Sequence, residues 1–494
     1  MPSSPNSDEV LYGDLAFFHT HPNHLAVIAS LCGLPTPPVE NCRVLELGCG
    51  TGFNLLAMSQ SLPRGRFVGF DISARQIEHG KAIATEIGND RVELRVGALE
   101  SFDPSLGPFD FIIAHGVFSW VPADVRTALL TAVRRHLAPN GIAYISYNTY
   151  PGWHFRQLAR DVLQLLEPKD ASPSERVRIA REAADQLLET LPEQDDLYAN
   201  VLGHELNALE REPDYFILNE HMTTFNHPLL FTEFAQLATS HGLQFVAESR
   251  YGTNSFAQPL ADREVLDAAG DDLIRREQYH DYRWQRYFRQ SLLCHAETTV
   301  THSPDPAAVR QFWVHARVEL IDATADITTT EFDSVRREED GEILHVSDPL
   351  FRLMLRRLCN AAPRLLQGEA FRPDVVETFG MDMGNGHILP VLSAALLRGY
   401  VEGLWHFYTN YPHFATDPGE SPRACPLVRQ QATTTLEVTN RLHRTAKLTS
   451  YERAVLRYLD GTTTRDEIAD ELQMTREHVD RCVARLATAG VLAE

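Results

Sequence analysis

The chain has 494 residues, 44% of them hydrophobic and 9% aromatic, and a formal net charge of −22. That length exceeds a single hydrophobic core and predicts roughly two to four domains. The charge disfavours nucleic acid and anionic membrane surfaces and favours cationic partners, and no apolar run reaches the roughly 18–20 residues that span a bilayer.

Residues 1–40 read as a lid segment, with a short helix over 24–31 and a proline-rich link at 35–38. The opening MPSSPNSDEV lacks the basic and apolar regions of a secretory leader, so the expected location is cytoplasmic. From 42 to 148 short β-rich runs alternate with helical periodicity, the pattern of a doubly wound α/β sheet. The runs are CRVLEL (42–47), RFVGFD (66–71), RVELRVG (91–97), FDFIIAHG (109–116) and GIAYISYN (141–148). Helices are expected over 54–61, 73–86 and 123–136. Residues 155–212 turn helical and charged, in three stretches broken by Pro168, Pro173 and Pro192. They read as an insertion over the active edge of the sheet. A helix, a Gly242 stop and a strand follow over 231–249, which places the α/β core at 41–258.

Residues 259–346 are expected to form an α+β middle region, with a hairpin over 327–346 around Asp340 and Gly341. A helical region and linker occupy 347–423. In the last part, 424–494, three helices and a terminal strand have winged-helix spacing, and capping boxes stand at Thr449-x-x-Glu452 and Thr464-x-x-Glu467.

The motif Glu46-Leu47-Gly48-Cys49-Gly50-Thr51-Gly52 closes the first strand, and Asn54 lies in the helix that follows. A dinucleotide fingerprint requires glycine at position 53, which here is Phe53. A cofactor without a pyrophosphate, S-adenosylmethionine, suits the motif better. Asp71, followed by Ile72, ends the second strand 19 residues after Gly52, where a carboxylate accepts ribose hydroxyls. Ala98 and Leu99 follow the third strand and are expected at the adenine. His115, Gly116 and Val117 end the fourth, beside the sulfonium. Asp110 is read as structural. The seven cysteines include no C-x-x-C pair, so no metal is expected, and Cys49 is read as a small loop residue.

These motifs resemble a class I methyltransferase. THPNHLA (20–26), HGVFSWVP (115–122), SYNTYPGWH (146–154), NHPLLFTEFAQLATSHGLQFVAES (226–249), RYFRQSLLCH (286–295) and NRLHRTAKLTSYERAVLRYLDG (440–461) narrow the likeness. They resemble the bacterial protein-lysine methyltransferases that carry a methyltransferase regulatory domain. The resemblance implies a Rossmann-like seven-stranded core with a helical insertion, a middle domain and a C-terminal winged-helix-like domain. It also implies a protein lysine as acceptor.

Methyl transfer from a sulfonium is an in-line displacement, so catalysis is mainly positioning and proton removal. An amine-orienting cage is expected where the fifth strand ends, from Tyr147, Asn148 and Trp153 as catalytic residues. Trp120, Tyr150 and His154 would bind the acceptor, with Glu220 and His221, beyond the helical insertion, as further candidates. Tyr144 is read as packing. Three functions stand open: a methyltransferase acting on a cationic protein or peptide substrate, a biosynthetic small-molecule or peptide methyltransferase, and an S-adenosylmethionine-sensing DNA-binding regulator. The third is disfavoured because residues 441–494 carry nine basic and nine acidic side chains.

Overall fold

The structure, a computed structural model, describes residues 11–36, 38–98, 106–166, 168, 171–192, 196–223, 225–258, 267–324, 326–329, 331–338, 340–380 and 388–493. Strands β1 (Arg43–Leu47), β2 (Arg66–Asp71), β3 (Val92–Val96), β4 (Phe109–Ala114) and β5 (Leu137–Asn148) match the five β-rich runs. They lie parallel in the order β3-β2-β1-β4-β5. Asp110 is structural as expected, its carboxylate accepting the Arg43 N–H at 2.7 Å.

The helices of this part are α1 (Pro22–Leu31), α2 (Phe53–Ser61), α3 (Ala74–Glu86), α4 (Ala123–His136), α5 (Trp153–Leu166), α6 (Pro173–Thr190), α7 (Leu197–Leu209), α8 (Phe231–Ser240) and α9 (Leu273–Arg283). Ser73, Ser172 and Asp196 cap α3, α6 and α7, each accepting a backbone N–H from three residues on. Because strand side chains alternate, each strand feeds two cores. Val44, Phe111, Ile142 and Tyr144 pack with α1, α2 and α3. Leu45, Ile112, Ile145 and Tyr147 pack with α4 and α8 on the other face. The insertion α5–α7 has its own small core around Leu163, Val177, Leu202 and Leu206 and ends in a π-helical turn, Ile217–His221.

Beyond α8 the chain adds β6 (Leu243–Glu248) at the edge, and β7 (Phe288–His295) inserts between β5 and β6, antiparallel to both. This corrects the boundary at 258: the core runs to His295 and includes α9. The signal was obscured by Arg289, a fully buried guanidinium in the middle of β7. It is tolerated there because three carboxylates, two from α9 and one from β6, surround it. Its nitrogens lie 2.7 Å from Glu248, 3.1 Å from Glu277 and 2.8 Å from Asp281.

The expected middle hairpin forms from Asp333–Arg337 and Ile343–Val346, joined by Val318–Asp322. A second small sheet pairs Trp313–Ala316 with Trp405–Tyr408 and packs against α1 within the core of the main sheet. The tail forms three helices, Ser450–Leu456, Arg465–Leu472 and Arg476–Thr488, and both predicted capping boxes close reciprocally. Its terminal strand Leu492–Ala493 pairs with Arg423–Ala424, and a hairpin, Glu437–Thr439 with Thr445–Lys447, precedes the helices. Among the described residues, no helix is long and apolar enough to cross a membrane.

Candidate functional site

At the carboxyl end of β1 the chain turns sharply into α2. Gly48 and Gly52 hold φ of 71° and 70°, and a Cβ on either would meet Val117 at 2.3 Å or Leu94 at 2.4 Å. The close approach of Gly48 to Val117 brings the first and fourth strand ends together. Asp71 shapes the same loop: its two carboxylate oxygens accept the N–H groups of Gly50 at 2.8 Å and Ser73 at 2.9 Å. Ile72 is exposed beside it, and the Gly97 N–H donates to the Asp71 carbonyl, leading into Ala98. Leu99 lies outside the described residues.

Glu46 is buried beneath the loop. Its Oε1 accepts from Asn54 Nδ2 at 2.9 Å, while Oε2 has no hydrogen-bond partner among the described residues. Burial pushes its carboxyl up to about 8, the Asn54 bond opposing and Asp71 adding to the rise. A cationic ligand group arriving at Oε2 would complete the site, which is how the methionyl ammonium of S-adenosylmethionine fits. Cys49 is buried, which raises its thiol pKa and removes it as a nucleophile.

The amino-terminal segment crosses over this loop, as a lid would. Tyr12 lies over Gly50, Thr51 Oγ1 donates to Asp14 at 3.2 Å, and the Phe17 N–H donates to Asn54 Oδ1 at 3.0 Å. The Phe17 ring stands 4.2 Å from that of His115. From Pro22 onward the chain is core helix, so the lid is confined to the residues before it. His115 Nδ1 lies 2.9 Å from the Tyr144 hydroxyl and 3.2 Å from Ser146 Oγ, which also accepts the Gly116 N–H at 2.8 Å. Burial lowers the His115 pKa to about 4, so the ring is neutral at pH 7. Tyr144 therefore does more than pack: its hydroxyl sets the orientation of His115. Its place two residues before Ser146, on the same face of β5, was the signal available in the sequence.

On the acceptor side, Trp120 and Trp153 meet edge to face with ring centres 6.2 Å apart, and the Arg160 guanidinium covers Trp120 at 5.6 Å. Arg160 also donates to the Glu220 carbonyl at 2.5 Å and to the Thr223 carbonyl, tying α5 to the π turn. Burial raises the Glu220 carboxyl to about 7 against the opposing charges of Arg156 and Arg160, and burial lowers His221 to about 3. The Tyr12 pKa is raised by burial of the hydroxyl and then by the carboxylates of Asp71 and Glu220, although the ring keeps an exposed flank. Glu220 acts on the Tyr12 hydroxyl, so it lies nearer the amino-terminal segment than its position beyond the insertion suggested. Asn148 Nδ2 donates to Asn226 at 3.0 Å and the Asn148 N–H to Ser119 at 2.8 Å, next to Trp120.

Tyr147 is a correction. Strand alternation turns it to the opposite face, where its ring stacks on Phe234 at 4.1 Å and its hydroxyl lies 3.3 Å from Ser291. It belongs to the core with α8 and does not line the cage. Tyr150 and His154 stack on each other at 4.3 Å, with Tyr150 near Glu233.

Residues 45–143 match the family described as a methyltransferase domain, 213–295 a predicted methyltransferase regulatory domain, and 420–482 the PKMT C-terminal winged helix domain. The regulatory-domain match falls on the π turn, α8, β6, α9 and β7, so in this fold it completes the central sheet. Two uncharacterized proteins of Rickettsia prowazekii are similar. One is 29% identical over 98% of this chain and 88% of its own length, the other 33% identical over 47% and 92%. The solved structure of PKMT2 from Rickettsia typhi superposes with a TM-score of 0.84 at 25% identity, covering 98% of this chain and 100% of that one. PKMT2 in complex with AdoHcy gives the same TM-score of 0.84, over 97% and 99%.

Proposed function

This chain belongs to the family of S-adenosylmethionine-dependent methyltransferases that end in the PKMT winged-helix domain, and from that premise we propose that its acceptor is a lysine side chain of a protein. PKMT abbreviates protein-lysine methyltransferase. What supports the reading is the grouping of Trp120, the buried Trp153 behind it and the Glu220 carboxyl where α5 meets the π turn. Aromatic faces attract an alkylammonium, and a carboxylate there both attracts the cation and takes its proton. A carboxylate-bearing small acceptor would instead meet Glu220, Asp71 and a chain of net charge −22.

Bound S-adenosylmethionine supplies an electrophilic methyl group on its sulfonium. Asp71 and the loop backbone would hold the cofactor, Glu46 would pair with its cationic end, and neutral His115 with Phe17 would cover it. Leaving water beside these buried groups would lower a lysine pKa from its reference of about 10.4, and Glu220 would receive the proton. Trp120, backed by the buried ring of Trp153, would fix the direction of approach, with Asn148 holding Ser119 beside it in place.

The winged-helix domain is read as a docking unit for a cationic protein, not for nucleic acid. Three arginines of its last helix are ion-paired: Arg476 with Glu420, Asp466 and Asp480, Arg481 with Glu477, and Arg485 with Glu452. A surface that tracks phosphates needs such cations uncommitted.

The test is transfer of labelled methyl from S-adenosylmethionine into host lysate, followed by acid hydrolysis. Label in Nε-methyllysine is expected, and Glu220→Gln should lower its rate of formation about a hundredfold with cofactor affinity retained. Label confined to small molecules would overturn the reading.

A further inference from the structure

The turn of the hairpin that precedes the C-terminal helices does not face solvent. His443, at its end, is 1% exposed and sits at φ 59°, a left-handed conformation that favours glycine. The turn is firmly held. Asn440 Oδ1 accepts the N–H groups of Leu442 and Arg444, each at 3.0 Å, and Asn440 Nδ2 donates to the Ala489 carbonyl at 3.0 Å. Glycine would serve this backbone better, so the reason for histidine lies in its side chain.

The imidazole Nε2 lies 2.8 Å from Asn54 Oδ1, 389 residues away in sequence. Asn54 is thereby fully engaged. Its oxygen accepts from the Phe17 N–H at 3.0 Å and from His443, while Nδ2 donates to Glu46 Oε1 at 2.9 Å and to Thr20 Oγ1 at 3.0 Å. The Thr20 hydroxyl passes its own proton to the Phe17 carbonyl at 2.8 Å. The Phe17 N–H can only donate, so it fixes the Asn54 oxygen on its side, and the His443 Nε2 beside that oxygen then carries the proton. With the amide reversed, an oxygen would face the Glu46 carboxyl and a nitrogen the Phe17 N–H.

We propose that His443 is a positioning residue for the cofactor site, by which the C-terminal domain holds the Asn54 amide oriented toward Glu46 and toward the lid residues Phe17 and Thr20. The domain outside the methyltransferase sheet thus completes the environment of the cofactor. A protein partner that moves the hairpin changes cofactor affinity, and bound cofactor changes affinity for that partner by the same factor.

The test uses the full chain and calorimetric binding of S-adenosylhomocysteine, with thermal melts of each variant. His443→Gly suits the backbone and removes the donor; His443→Gln keeps a donor at similar reach. His443→Gly is expected to bind about five- to tenfold more weakly, and His443→Gln within about twofold of wild type. In an Asn54→Ala background His443→Gly should have no further effect, because the two act as one unit. Wild-type affinity in His443→Gly would overturn the proposal. Equal weakening in His443→Gly and His443→Gln, with both melting early, would overturn it too, since that pattern marks packing alone.

Discussion

Replacing Glu46 by glutamine keeps an oxygen for the Asn54 Nδ2 hydrogen bond and removes only the titratable proton. Burial holds the wild-type carboxyl up at about 8, so at pH 7 roughly nine cofactor-free molecules in ten carry it protonated. A cationic methionyl group at Oε2 favours the carboxylate, so cofactor binding releases a proton. One unit between pH and pKa corresponds to about 1.4 kcal/mol, which lowers affinity at pH 7 about tenfold and disappears above about pH 8. Wild-type affinity for S-adenosylhomocysteine should therefore rise about tenfold between pH 7 and about pH 8.5 relative to Glu46→Gln. The ligand's own amine titrates in both proteins, and the difference isolates Glu46. Calorimetry in two buffers of unlike ionisation enthalpy should read close to one extra proton released by wild type near pH 6.5, and none near pH 9. In folding, a carboxyl raised from 4.5 to about 8 contributes stability that is fully present below its unfolded pKa and is lost as pH rises to about 8. Cofactor-free wild type should accordingly lose melting temperature relative to Glu46→Gln across that window. Identical pH profiles of binding in the two proteins would refute the placement of cofactor charge at Glu46.

Tyr147→Phe removes a buried hydroxyl 3.3 Å from Ser291 and should cost about 0.5–1.5 kcal/mol in urea denaturation, with kcat within about twofold of wild type. A large fall in kcat with stability intact would return Tyr147 to the site. Arg289→Met leaves Glu248, Glu277 and Asp281 buried without their cation and should destabilise the protein by about 3–5 kcal/mol. A loss below about 1 kcal/mol would mean that these carboxyls are not carrying the charge that the geometry assigns them.

Much of the fold was determined within short windows of sequence. Gly48 and Gly52 can adopt their positive φ in isolation, Asp71 sits at a strand end, and Thr449 and Thr464 cap helices by contacts three residues away, so backbone preference and periodicity are enough to read them. β1, β4 and β5 were legible because burial on both faces leaves an apolar run, and the edge strand β3 because its exposed face alternates with its buried one. Other features depend on groups that only folding brings together. β7 carries a charge in its middle, and nothing in the strand itself indicates that Glu248 and the α9 carboxylates will neutralise Arg289. Tyr144 and Tyr147 look equivalent as letters; the two-residue period of β5, set by pairing with β4 and β7, sends one hydroxyl to His115 and the other into the core. Glu220 comes close to Trp120 because Arg160 of α5 ties the π turn to it. His443 joins Asn54 only because the C-terminal domain docks beside α2. Local preference is written over a few residues of sequence, whereas partners separated by tens to hundreds of residues are chosen by packing.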